Sequence, residues 1–135
     1  MGALEYDAEV MRAFMHERIP GLCLPLNATF LGWRKGDEVV AGAAYEGFNG
    51  RNVWVHLAGV GKTWMSRDFL RAGFAYPFLV CGVDRLSGYV NASNAPARRL
   101  NEHFGYRVEA TLHGAAPDGG DVLLYVMWRK DCRYV

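Results

Sequence analysis

The stretch VHLAGVGKTWMSRDF, residues 55–69, contains Gly61-Lys62-Thr63, the tail of a nucleotide-binding P-loop. A P-loop requires a first glycine five residues before Gly61, where it lets the backbone wrap phosphates. His56 holds that place, and Gly59 stands at the wrong spacing. The residues before it read as one arm of an antiparallel hairpin, whereas P-loop strands lie in parallel sheets with helical crossovers. The pattern therefore argues against a triphosphate site. What survives is a strand, a glycine-containing loop and a helix N-terminus. Such a terminus presents free N–H groups and the positive end of a dipole to an anion. Lys62 and Arg67 add charge there, and both read equally well as solvated surface residues.

Two further side chains in this region could move a proton. His56 carries an imidazole, the side chain that exchanges a proton near neutral pH. It is either a general base or a ring packed on a sheet face. Glu46, on the neighbouring stretch, is the alternative base. Ser66 and Ser93 are explained by helix capping and loop hydrogen bonds.

Positioning these groups falls to a short series of elements. Asp7 caps a helix running to Arg18, which Pro20-Gly21 stops. Strands follow at 28–34, 38–48 and 51–60, the first two joined at Lys35-Gly36-Asp37. Asn49-Gly50 predicts a two-residue type I′ hairpin, which sets Glu46 opposite Val53, toward the hairpin tip and away from His56. In the third strand Val53, Val55 and Leu57 share one face, and Trp54, His56 and Ala58 the other. A second helix is expected from near Thr63, kinked or ended by Pro77. A buried strand at 84–90 leads to a third helix with Asn94 as cap, Pro96 in its first turn and Gly105 past its end. Strands at 106–113 and 121–130 close the chain. A separate first strand would have to be the short MGALEY. The order predicts one α+β domain over residues 1–135, built on a mixed, mostly antiparallel sheet.

Bulk composition fits this. Of the 135 residues 51% are hydrophobic and 21% charged, which suits a packed core rather than a disordered chain. A formal net charge of +1 gives no basic excess of the kind that marks nucleic-acid or anionic-membrane surfaces, and no apolar run reaches membrane-spanning length. The three cysteines (Cys23, Cys81, Cys132) have no CxxC spacing and the four histidines no metal-ligand spacing. Without a secretory leader, the expectation is a reducing cytoplasm and no metal.

The stretch VNASNAPARRLNEHFGYRVEATL, residues 90–112, resembles the GNAT superfamily of N-acetyltransferases, and among them the small phage- or prophage-type members. The family pattern V-x-x-x-N-x-x-A/S-x-x-L-Y-E-x-x-G-F finds Val90, Asn94, Ala97, Leu100, Glu102, Gly105 and Tyr106 in register, and the closing strand DVLLYVMWRK also looks like that family's. The resemblance implies acetyl-coenzyme A as cofactor and transfer of its acetyl group to a primary amine. The strands at 51–60 and 84–90 should then splay apart, with the pantetheine arm along Leu57, Ala58, Gly59 and Val60. Backbone N–H groups at Ala58–Val60 would hold the oxyanion, and N–H groups opening the helix at 62–67 would hold the pyrophosphate. The pyrophosphate loop falls at Lys62, Met65 and Arg67, with Trp64 and Ser66 between; the family's small residues are replaced by Met65 and Arg67. Asn94 and Arg98 complete the implied cofactor contacts. The position commonly held by the tyrosine acid is Asn101, whose amide can donate a hydrogen bond but cannot act as a general acid. The expected position of the acetyl group beside 57–60 favours His56 over Glu46 as base. The acceptor is expected from residues 16–27 and 113–121, whose side chains indicate no single substrate class; dimers are common in the family. A coenzyme A-binding module with little or no catalysis is the alternative reading.

Overall fold

The computed structural model describes residues 2–62 and 64–135. Asp7 accepts hydrogen bonds from the Glu9 and Val10 amides and opens α1 (Ala8–Arg18). This helix buries Met11 and Met15 against the sheet. Short β1 (Gly2–Glu5) precedes it, and β2 (Thr29–Lys35), β3 (Glu38–Glu46) and β4 (Asn52–Gly59) follow. Next come α2 (Arg67–Ala75), β5 (Arg85–Asn91), α3 (Ala95–Phe104), β6 (Arg107–Leu112) and β7 (Val122–Trp128). The seven strands lie in the order β1-β2-β3-β4-β5-β7-β6. All neighbours are antiparallel except β4 and β5, which run parallel. Among the described residues α1 covers one face of the sheet, and α2 and α3 pack into the larger core on the other. The α+β mixed sheet expected from the sequence is the observed architecture.

The parallel pair opens in the middle of the sheet. Asn52, Val53 and Trp54 pair with Arg85, Leu86 and Ser87, and there the ladder stops, although β4 runs on to Gly59 and β5 to Asn91. Side chains clamp the closed end: Ser87, itself buried, donates to the Asn52 amide oxygen and accepts from Arg85 Nε at 3.1 Å, while Arg85 forks onto Glu109. Beyond this clamp β5 keeps its full antiparallel register with β7 out to Asn91, so the edges of β4 and β5 that face each other are left without a strand partner.

Two sequence expectations are corrected. The connection between β3 and β4 spans residues 47–51, not a two-residue turn at Asn49-Gly50. Gly47 and Gly50 take positive φ, at 68° and 93°, but Asn49 does not. Its side chain instead accepts from the Arg51 and Asn52 amides, at 3.0 and 2.9 Å. This Asx arrangement competes with a tight turn for the same backbone donors. The second helix begins at Arg67 rather than near Thr63, which lies outside the described residues. Ser66 is its N-cap and accepts from the Phe69 amide at 3.0 Å.

As expected near Pro77, α-helical geometry ends early, at Ala75. The chain continues through one π turn, Tyr76–Val80, closed by the Cys81 amide on the Tyr76 carbonyl at 2.9 Å. Proline has no N–H to give the carbonyl four residues back, which is Gly73. The buried Tyr45 hydroxyl donates to that carbonyl at 2.6 Å.

Candidate active site

The opening between β4 and β5 is a cleft of about 440 Å³. Both faces of the sheet line it: His56 and Tyr89 from the α1 face, and Val55, Leu57 and Val90 from the other. It therefore passes through the sheet. The residues just after α1 (Ile19, Pro20, Leu22) border it, as do α2, α3 and the loop between β6 and β7.

Hydrogen-bond alternation decides which backbone groups face this cleft. The Val60 amide donates to the Val40 carbonyl at 2.8 Å, in register with the Gly42–Ala58 and Ala44–His56 pairs. Even-numbered residues of β4 thus direct both backbone groups toward β3, and Val55, Leu57 and Gly59 direct theirs toward β5. Since the β4–β5 ladder ends at Trp54, no strand pairs with Leu57 or Gly59 on that side. Of the expected oxyanion donors at Ala58–Val60, Ala58 and Val60 are turned to β3 and Gly59 faces the cleft, as does Leu57.

Register also corrects the assignment of Glu46. The five-residue connection places Glu46 opposite Trp54, one residue from the expected Val53. In a strand that single step moves a side chain to the other face. Glu46 therefore shares a face with His56, and its Oε2 lies 2.6 Å from His56 Nε2, with the two side chains 25% and 9% exposed. A carboxylate oxygen accepts here, so Nε2 carries the proton and Nδ1 is the basic nitrogen of a ring that lines the cleft. Tyr89 meets the His56 ring edge-on at 5.5 Å. Desolvation, then the charge of Glu46, pushes the Tyr89 phenol above its ordinary range, so it stays a hydrogen-bond donor. Reading the sequence alone did not single out Tyr89; alternation from the buried Leu86 and Ser87 onto the His56 face is the signal that could have found it.

The remaining predicted residues divide between cleft and surroundings. Asn94 lines the cleft and caps α3, accepting from the Ala97 amide at 3.2 Å. Asn101 lines it from the second turn of the same helix, and Leu57 lines it from β4. Ala58 packs into the core under α1. Trp64 is buried against Phe69 and Gly59, so its indole fills the core instead of facing a ligand. A Cβ on Gly59 would stand 2.3 Å from that ring, which is why glycine occupies this position. Lys62 and Arg67 are exposed. The expectation that N–H groups opening the helix at 62–67 are free is narrowed at Ser66. The Ser66 amide is spent on the Trp64 carbonyl at 2.8 Å, and the Phe69 amide on the Ser66 hydroxyl. By the rule for helix starts, Arg67 and Asp68 hold the remaining free donors. Arg98 turns back to the Ala92 carbonyl at 3.1 Å.

No family model and no curated protein matches the chain. Solved structures do. Mutant forms of the spermidine/spermine N-acetyltransferase SpeG from Vibrio cholerae superpose with a TM-score of 0.78 at 11% identity, covering 96% of both chains. The ribosomal-protein-S18-alanine N-acetyltransferase from Escherichia coli superposes with a TM-score of 0.68 at 16% identity, covering 95% of this chain and 94% of that one. From β1 to β7, with the sheet opened between β4 and β5, the chain has the GNAT fold of these N-acetyltransferases.

Proposed function

We propose that the protein transfers an acetyl group from acetyl-coenzyme A to a primary amine by direct attack. The observation that carries this reading is the coincidence, in one cleft, of the unpaired backbone of Leu57 and Gly59 with the His56–Glu46 pair. Unpaired backbone polar groups in an apolar cleft seek partners, and an extended arm carrying amides supplies them as a further strand would. Leu57 and Gly59 would hold that arm. Arg67, with Lys62 and the free amides of the first turn of α2, would hold the phosphates. When bound, acetyl-coenzyme A supplies a thioester carbonyl for attack, with the thiolate as leaving group. The chain's own groups then do three things. The Leu57 or Gly59 amide donates to the carbonyl oxygen as charge develops on it. His56 Nδ1 takes the amine proton directly or through one water, and Glu46 stabilises the imidazolium that results. The cleft holds both reactants together, which supplies much of the rate. The Asn101 amide contributes a hydrogen bond and no proton.

The test is calorimetry with acetyl-coenzyme A and with ATP–magnesium, followed by thiol release on adding amines. Binding of acetyl-coenzyme A and amine-dependent thiol release are expected. Absence of binding overturns the reading. Binding without thiol release for any amine would favour a coenzyme A-binding module instead.

A further inference from the structure

We infer that the acceptor is a monoamine carried on an uncharged, apolar body, and that polyamines are poor acceptors. The inference rests on the acetyl-transfer reading above and narrows it.

Among the described residues, none lining the cleft is Asp, Glu, Lys or Arg. Its titratable groups are His56 and the phenols of Tyr45, Tyr89 and Tyr106. Tyr45 is committed to the Gly73 carbonyl, and burial pushes the Tyr45 and Tyr106 phenols up, so both are neutral. The carboxylate that reaches this wall, Glu46, is held at 2.6 Å by His56 and serves the proton transfer. An amine that yields its proton to His56 enters the reaction neutral and needs no counter-charge. A second or third ammonium within the cleft would meet a lining that holds no carboxylate of its own. A buried, unpaired charge of that kind is strongly disfavoured.

The lining matches an apolar body. Ile19, Pro20 and Leu22 line it after α1, Ala115 and Pro117 line it from the loop between β6 and β7, and the Tyr89 ring stands edge-on to His56. The loop following Leu22 is pinned, because Arg12 Nη2 donates to the Pro25 carbonyl at 2.9 Å and its guanidinium lies over the Phe30 ring. Pockets of this kind reward each fitting apolar group by about 10- to 200-fold in kcat/KM.

The experiment uses the full chain with acetyl-coenzyme A and compares 2-phenylethylamine with spermidine, reading thiol release and product mass. The expected result is a kcat/KM at least about tenfold higher for 2-phenylethylamine. Ala115→Asp, an exposed rim substitution that leaves the His56–Glu46 pair intact, should narrow that ratio by about two- to fivefold by offering a second ammonium its partner. Spermidine equal to or better than 2-phenylethylamine overturns the inference. So does acetyl-coenzyme A binding seen by calorimetry without acetylation of 2-phenylethylamine. Failure to bind acetyl-coenzyme A removes the acetyl-transfer reading itself, and the acceptor class falls with it.

Discussion

Glu46 Oε2 and His56 Nε2 lie 2.6 Å apart on adjacent antiparallel strands, and the pair exists because residues 46 and 56 share a face, two positions off direct opposition. The charge on Glu46 is matched to the imidazolium that forms when His56 takes a proton. Glu46→Gln keeps an oxygen acceptor for Nε2 but removes that charge. Its kcat should fall about tenfold or more with KM for the amine little changed, and His56→Ala should lose about 10²–10⁴-fold. Steady-state thiol release checks both; an unchanged kcat for His56→Ala would remove it from the reaction.

Tyr45 stands in for the N–H that Pro77 lacks. Tyr45→Phe deprives the half-buried Gly73 carbonyl of this donor, at a cost of about 0.5–1.5 kcal/mol in urea unfolding. Pro77→Ala restores a backbone donor. If the two groups serve the same carbonyl, Tyr45→Phe should cost less in the Pro77→Ala background than in the natural chain. A double-mutant cycle that shows simple additivity would refute the substitution of one donor for the other.

Gly59→Ala forces a Cβ to within 2.3 Å of the Trp64 ring. Overpacking of this kind costs about 1–3 kcal/mol. The Gly59→Ala protein should regain part of that loss when Trp64 is shortened to Leu, measured as thermal midpoints.

Alkaline stability follows from the phenols. Tyr45 and Tyr106 are held protonated by burial, well above the ordinary value of 10.0 that their unfolded forms regain. A raised folded value favours the protonated native state. Stability is therefore fully present below pH 10 and falls as pH climbs above it, by about 1.4 kcal/mol per pH unit for each such phenol. Urea midpoints between pH 9 and 11 should show the slope, and Tyr45→Phe should make it shallower. A slope unchanged by Tyr45→Phe would assign the alkaline loss to other groups.

Phosphate binding depends on charge rather than on a closely fitting glycine loop, since the Ser66 and Phe69 amides are already bonded. Arg67→Ala should weaken coenzyme A binding at least about fivefold and leave pantetheine unaffected, and added salt should mimic it. Equal losses for both ligands in calorimetry would place Arg67 elsewhere in the binding scheme.

Much of this was legible in the chain. Asp7 and Asn94 are helix caps, Gly105 ends α3, and the period-two pattern of 53–58 sorts its side chains onto the observed faces. These are local matters, decided by a residue and its nearest backbone neighbours. Residues 90–112 carried enough family pattern to predict the GNAT fold that the superposition shows. The partnership of Glu46 with His56, the free amides of Leu57 and Gly59, and the donor for Gly73 belong to the tertiary structure. Each depends on register or on a contact between distant elements: the connection at 47–51 shifts the pairing by one residue and turns Glu46 to the face of His56, and the early end of the β4–β5 ladder frees the backbone. Strand side chains alternate with every residue, so an error of one in a turn that looks tight inverts the site, and only the paired strands themselves settle that count.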